Sequence, residues 1–162
     1  MRRMALLGLL FLAVAMSSPV LAQQGNRTQT ASHEITGVLE GTFTFAALPY
    51  TNNSEFATLG VVSGVVKDLG RSNMFTYHRH TTIGMEDGLV RIVAANGDII
   101  RGQYTGDVVW GTPIIGTATV DITGGTGRFA NASGTMSLTA YVTMVDGSEW
   151  PVTWVLEGTI NY

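Results

Sequence analysis

The segment Ile122-Thr-Gly-Gly-Thr-Gly-Arg-Phe129 sets Gly124, Gly125 and Gly127 within four positions, between two runs of alternating residues. Glycine adopts positive φ without steric penalty, so such a cluster marks a corner or bulge where an extended chain reverses. A glycine loop that cradles phosphate must open a helix N-terminus. Here the next residues are strand-like instead. The segment therefore reads as a structural corner, with Phe129 plugging one end of the fold.

The flanking sequence has period two and no long amphipathic helical stretch, which points to an all-β domain. In His33 to Ala47, Ile35, Leu39, Phe43 and Phe45 fall on one face, and Glu34, Thr36, Glu40, Thr42 and Thr44 on the other. Leu48 to Ala57, with Pro49, Asn52, Asn53 and Ser54, reads as a loop. Strands are expected at Gly60–Lys67, Met74–Ile83, Leu89–Ala95, Asp98–Trp110, Ile114–Thr123, Ser133–Val145 and Glu149–Asn161. Turns are expected at Asp68–Asn73 and Glu86-Asp87-Gly88. Asn96-Gly97, a preferred two-residue type I′ pair, closes one hairpin, and Asp146-Gly147 closes another. Eight sequentially paired strands with short connections close into an antiparallel up-and-down barrel, which removes exposed edges. A two-sheet sandwich is the competing arrangement.

The first residues read as an address. Arg2 and Arg3 precede an apolar stretch, Ala5 to Met16, and Val20-Leu21-Ala22 has small residues where a signal peptidase needs them. The stretch is short for a membrane span, which takes about 20 residues. Residues 1–22 are thus expected to be a removed signal peptide, 23–32 a flexible leader and 33–162 a single domain. Without Arg2 and Arg3 the chain has 7 basic residues against 12 acidic ones. That balance, with no basic cluster, argues against nucleic acid and against anionic membranes. The chain has no cysteine, so export is not accompanied by disulfides.

Few residues suggest chemistry. His78 and His80 project from one face of a strand and, with Glu86, offer two imidazoles and a carboxylate for a metal. The alternative is a solvent-facing polar stripe shared with Met74, Thr76 and Thr82, and no metal or other cofactor is expected. Glu40 and Glu157 are the strand carboxylates that burial inside a barrel would turn into general acids, and Tyr104 is a third candidate for proton transfer. Phe43, Tyr104, Trp110, Trp150 and Trp154 either fill the barrel or line a pocket for a flat apolar molecule. No nucleophile elbow and no phosphate-binding P-loop is present.

Asp121-Ile-Thr-Gly-Gly-Thr-Gly-Arg-Phe-Ala-Asn-Ala-Ser-Gly134, with the ending Leu156-Glu-Gly-Thr-Ile-Asn-Tyr162, resembles the allene oxide cyclase barrel-like proteins, which group with plant allene oxide cyclases and dirigent proteins. Leu69-Gly-Arg-Ser72 and Ala94-Ala-Asn-Gly-Asp98 are similar to bacterial exported members, and the resemblance spans roughly Gly60 to Tyr162. It implies a calycin-like eight-stranded barrel with an apolar interior, often trimeric in plants. It also implies either cyclisation of a fatty-acid epoxide or steering of phenolic coupling. No polar pocket residue of the plant cyclases maps onto this chain, so the resemblance carries the fold and the corner but no catalytic residue. The expected function is an exported, periplasmic or extracellular barrel that holds a small apolar or aromatic molecule. A cofactor-independent cyclase or isomerase and a filled structural barrel are the alternatives. A dimer or trimer is compatible with either form, and no membrane contact is expected after signal removal.

Overall fold

A computed structural model describes residues 31–48, 55–81 and 84–162. The expected signal peptide and nearly all of the expected leader lie outside the described residues. Eight strands are present among the described residues: β1 (Ser32–Ala47), β2 (Phe56–Val66), β3 (Gly70–Thr81), β4 (Gly84–Val93), β5 (Ile99–Val109), β6 (Ile114–Gly125), β7 (Ser133–Val142) and β8 (Glu149–Asn161). Each pairs antiparallel with its sequence neighbour, and β8 returns to β1, so the sheet closes into a barrel without an edge. The two-sheet sandwich is excluded.

Inward side chains follow the period-two pattern. Ile35, Leu39, Ile92, Ile100, Leu138 and Leu156 are fully buried and fill one part of the barrel. The glycine corner seals that end. Gly127 has φ 53°, and a Cβ there would overlap the Asp98 carboxylate. The same carboxylate accepts from the Arg128 backbone N–H at 3.3 Å. Gly127–Phe129 forms a short 3₁₀ turn that drops Phe129 into the core at 0% exposure, against Tyr162 with ring centres 4.7 Å apart. Arg128 covers both rings.

Several local expectations change. β1 begins at Ser32, and Ala31 exchanges two backbone hydrogen bonds with Tyr162, so the end of the expected leader is already part of the barrel. β2 starts at Phe56, inside the expected loop, and β7 stops at Val142. Glu86-Asp87-Gly88 is no turn but lies within β4. The register to β5 shifts between Met85 and Gly88, and Asp87 has φ 54°. This is a bulge, which needs the same turn-forming residues as a reversal. The Asn96-Gly97 hairpin is a three-residue loop rather than type I′. Gly97 N–H donates to Ala94 C=O at 2.9 Å, and Gly97 has φ 86° while Asn96 does not share the positive φ that I′ requires.

The outer wall is uneven. On β1 to β4, Val38, Leu59, Val61, Val65, Phe75 and Leu89 are each 42% exposed or more. Register joins several of them: Val38 pairs with Val65, and Val61 with Phe75. On β5 to β7 the outward positions include Gln103, Thr105, Thr117, Thr119, Asp121, Thr135 and Ser137.

Candidate functional site

The end of the barrel opposite Phe129 is not filled. β1 ends there with Phe43 and Phe45, β2 begins with Phe56, β3 ends with His78 and His80, and β8 begins with Trp150. These residues, with Met85, Trp110, Trp154 and small residues from β6 and β7, wall a cavity of about 330 Å³. Gly116 pairs with Ala140 across β6 and β7, and the missing side chain of one and the single methyl of the other leave the space open. All three tryptophans of the chain border it.

The aromatic wall is mutually braced. Phe45 meets Trp150 at 4.5 Å and Phe56 at 5.7 Å between ring centres, and Phe43 meets Trp154 at 5.8 Å. Phe56 stacks on His80 at 4.4 Å and 24°. Outside the rim, Arg79 contacts Glu55 at 2.8 Å and Glu86 and Asp87 at 3.0 Å each, tying the start of β2 and the β4 bulge to β3.

One polar chain runs through this wall. Tyr104 Oη lies 2.7 Å from His78 Nδ1, and His78 Nε2 lies 2.9 Å from His80 Nε2. Burial, and then the neighbouring His80, lower the His78 pKa to about 3. Burial lowers His80 to about 4 and raises the Tyr104 phenol well above its ordinary value. At neutral pH all three are therefore uncharged, and each histidine has one N–H and one bare nitrogen. The hydroxyls of Thr58 and Thr76 and the Trp154 indole N–H are buried and have no hydrogen-bond partner among the described residues. Thr76 lies beside Tyr104 but outside hydrogen-bonding geometry.

The candidate residues separate cleanly by face. Phe43, Tyr104, Trp150 and Trp154 are inside the barrel, and all but Tyr104 border the cavity directly. Trp110 stands at the mouth, 62% exposed. Glu40 and Glu157 are corrected: both are exposed on the outer wall, because their strands turn Leu39 and Leu156 inward and each neighbour must point out. The solvent-facing stripe is corrected as well. Met74, Thr76, His78 and His80 face the interior, while Thr82 lies outside the described residues. The three-ligand metal set is also dismantled, since Glu86 is on the outer face against Arg79. No group of three or more metal-ligating side chains of the His, Cys, Asp or Glu type occurs among the described residues. Sequence reasoning missed Phe45, Phe56 and Met85 as cavity residues. Extending the period-two pattern of Val62, Gly60 and Thr58 backwards would have reached Phe56.

No family model matches the chain. No curated protein matches it either. Among solved structures, the pterocarpan synthase dirigent protein is similar at 16% identity, with a TM-score of 0.43, over 93% of this chain and 100% of that one. The closed barrel itself stands on this chain's own strand register.

Proposed function

We propose that this protein is an exported barrel that binds a small apolar or aromatic molecule in its end cavity and holds it rather than turning it over. The observation that carries this reading is the cavity wall, in which six aromatic side chains and Met85 surround two uncharged imidazoles. Small-molecule sites are concave and mostly apolar, with a few placed polar groups, and span roughly 300–1,000 Å³. An eight-stranded barrel has room for either its own side chains or one small ligand. Native mass spectrometry of the mature protein from its own host tests the reading. The expected result is an added mass that is lost on denaturation. A bare protein that also takes up no aromatic probe would return the filled structural barrel to the front.

The Tyr104–His78–His80 chain favours a second reading, a cyclase or isomerase that moves a proton inside the cavity. Lowered histidine pKa values weigh against it, because a nitrogen that protonates only near pH 4 is a weak base at neutral pH. The signal-like leader supports export, and sequencing the mature N-terminus is expected to begin at Gln23. The apolar outer wall of β1 to β4 supports self-association with a second copy, since apolar patches rimmed by polar residues mark interaction surfaces.

A further inference from the structure

We infer that the cavity selects an uncharged aromatic molecule carrying one hydrogen-bonding group, which meets His80 Nδ1, and that it rejects carboxylates. This rests on the binding role proposed above and adds the chemical class of the occupant.

Compensating charge is absent from the described part of the cavity wall. Among the described residues that border it, none carries a charged group. The elements packed around His80 present Phe56 from β2, His78 from β3, Met85 from β4 and Trp110 just beyond β5. Beside His80, the carboxylates of Glu55, Glu86 and Asp87 are each held by Arg79 on the outer side. An ion entering this space would lose its water and gain no partner, a large penalty.

The polar chain, by contrast, leaves one atom for a ligand. His80 Nε2 is engaged by His78, so the remaining nitrogen, Nδ1, has no partner among the described residues. Three mobile protons serve two internal hydrogen bonds. In one arrangement Tyr104 O–H donates to His78 Nδ1, His78 Nε2–H donates to His80 Nε2, and His80 Nδ1–H is offered to the cavity. In the other, His80 Nε2–H donates to His78 Nε2, and His78 Nδ1–H donates to Tyr104. Nδ1 is then bare, and the Tyr104 O–H faces the Thr76 side chain, which lies beside it without a hydrogen bond. The same nitrogen thus donates to a carbonyl or accepts from a hydroxyl without any change of charge. His80 is the ligand-contacting residue of this site, and Phe56 positions its ring by stacking at 4.4 Å.

The test uses three probes of one shape: 2-isopropylnaphthalene, 2-acetylnaphthalene and 2-naphthoate, titrated into the full mature chain and followed by its tryptophan indole N–H resonances. At pH 7 the ketone is expected to bind roughly three- to tenfold more tightly than the hydrocarbon, the worth of one neutral hydrogen bond. The carboxylate is expected to bind at least about a hundredfold more weakly than the ketone. It should regain affinity about tenfold per unit as pH falls from 7 to 5, because it enters as the neutral acid. His80→Phe should abolish the preference for the ketone over the hydrocarbon, and His80→Gln should restore part of it. A ketone no better than the hydrocarbon, or a carboxylate as tight as the ketone at pH 7, would overturn this inference alone. Failure of all three probes to bind would overturn the binding role itself.

Discussion

Replacing Gly116 by valine places three carbon atoms on the cavity wall. Gly116 is buried on the inner face of β6, opposite Ala140 of β7. A Cβ built there would lie 3.6 Å from both the Ala140 Cβ and the end of Met85, ordinary van der Waals separations. Gly106 of β5, which pairs with Ala118 of β6, is the opposite case, since a Cβ there would overlap the Thr117 carbonyl oxygen. The cavity of about 330 Å³ exceeds the lower bound for ligand sites, ~300 Å³, by about the share of one water molecule in the liquid. A valine side chain is larger than that margin. Gly116→Val is therefore expected to weaken binding of 2-isopropylnaphthalene by about tenfold or more. The fold should be unharmed, because removing a glycine from an unstrained strand position stabilises by roughly 0.4–1 kcal/mol through the unfolded state. For a domain of this size that corresponds to a rise of roughly 2–5 °C in Tm. Gly106→Ala is expected to lower stability by roughly 1–3 kcal/mol, the ordinary range for overpacking. Thermal melts and ligand titrations of the two variants check both halves. Undiminished binding by Gly116→Val would refute the cavity as the site, and equal destabilisation by the two variants would refute the steric reasoning.

Phe129→Ala should destabilise the barrel by about 3–5 kcal/mol in urea unfolding, because it empties the sealed end. Both histidines are held neutral in the fold, with pKa values lowered to about 3 and about 4, so the unfolded chain takes up protons first as pH falls. Stability is then complete above the unfolded histidine pKa, ~6.5, and is lost progressively from there toward pH 4. His78→Gln should flatten that loss in melts recorded from pH 7 to 4. Glu40→Gln and Glu157→Gln, on the outer wall, should leave probe affinity unchanged and move stability by no more than ~0.5 kcal/mol. Val61→Glu should shift the protein to a smaller species in light scattering coupled to gel filtration, and an unchanged mass would exclude the β1–β4 wall as the self-association face.

How far the sequence disclosed this arrangement differs from strand to strand. In β1 one face carries Ile35, Leu39, Phe43 and Phe45 and the other is mostly polar, so alternation favours Leu39 inside and Glu40 outside. In β3 neither face is clearly apolar: Met74, Thr76, His78 and His80 alternate with Asn73, Phe75, Tyr77 and Arg79. The inside is decided there by long-range pairing, with Val62 opposite Met74 and Gly60 opposite Thr76. That is why the two histidines admit a solvent-facing reading from sequence and sit on a buried wall in the structure. The corner at Gly124 to Phe129 is local and legible, because positive φ and a close backbone approach demand glycine wherever the strands run. The Glu86-Asp87-Gly88 bulge is not, since a bulge and a turn make the same local demand and differ only in how the strand then pairs across the sheet. The cavity belongs to no local pattern at all. It forms where the ends of β1, β2, β3, β5 and β8 bring large rings to one level while Gly116 and Ala140 stay small.

If the aromatic end of the barrel is a binding site, the tryptophans must sense its occupant. Trp110, Trp150 and Trp154 are the only tryptophans in the chain and all border the cavity, so their three indole N–H resonances report on that end alone. Titration of the mature protein with 2-isopropylnaphthalene should shift or broaden all three, saturably and with one affinity. The backbone amides of Phe129 and Val61, at the sealed end and on the outer wall, should stay in place. Unmoved indole resonances, or changes confined to the outer wall of β1 to β4, would contradict a binding site at this end.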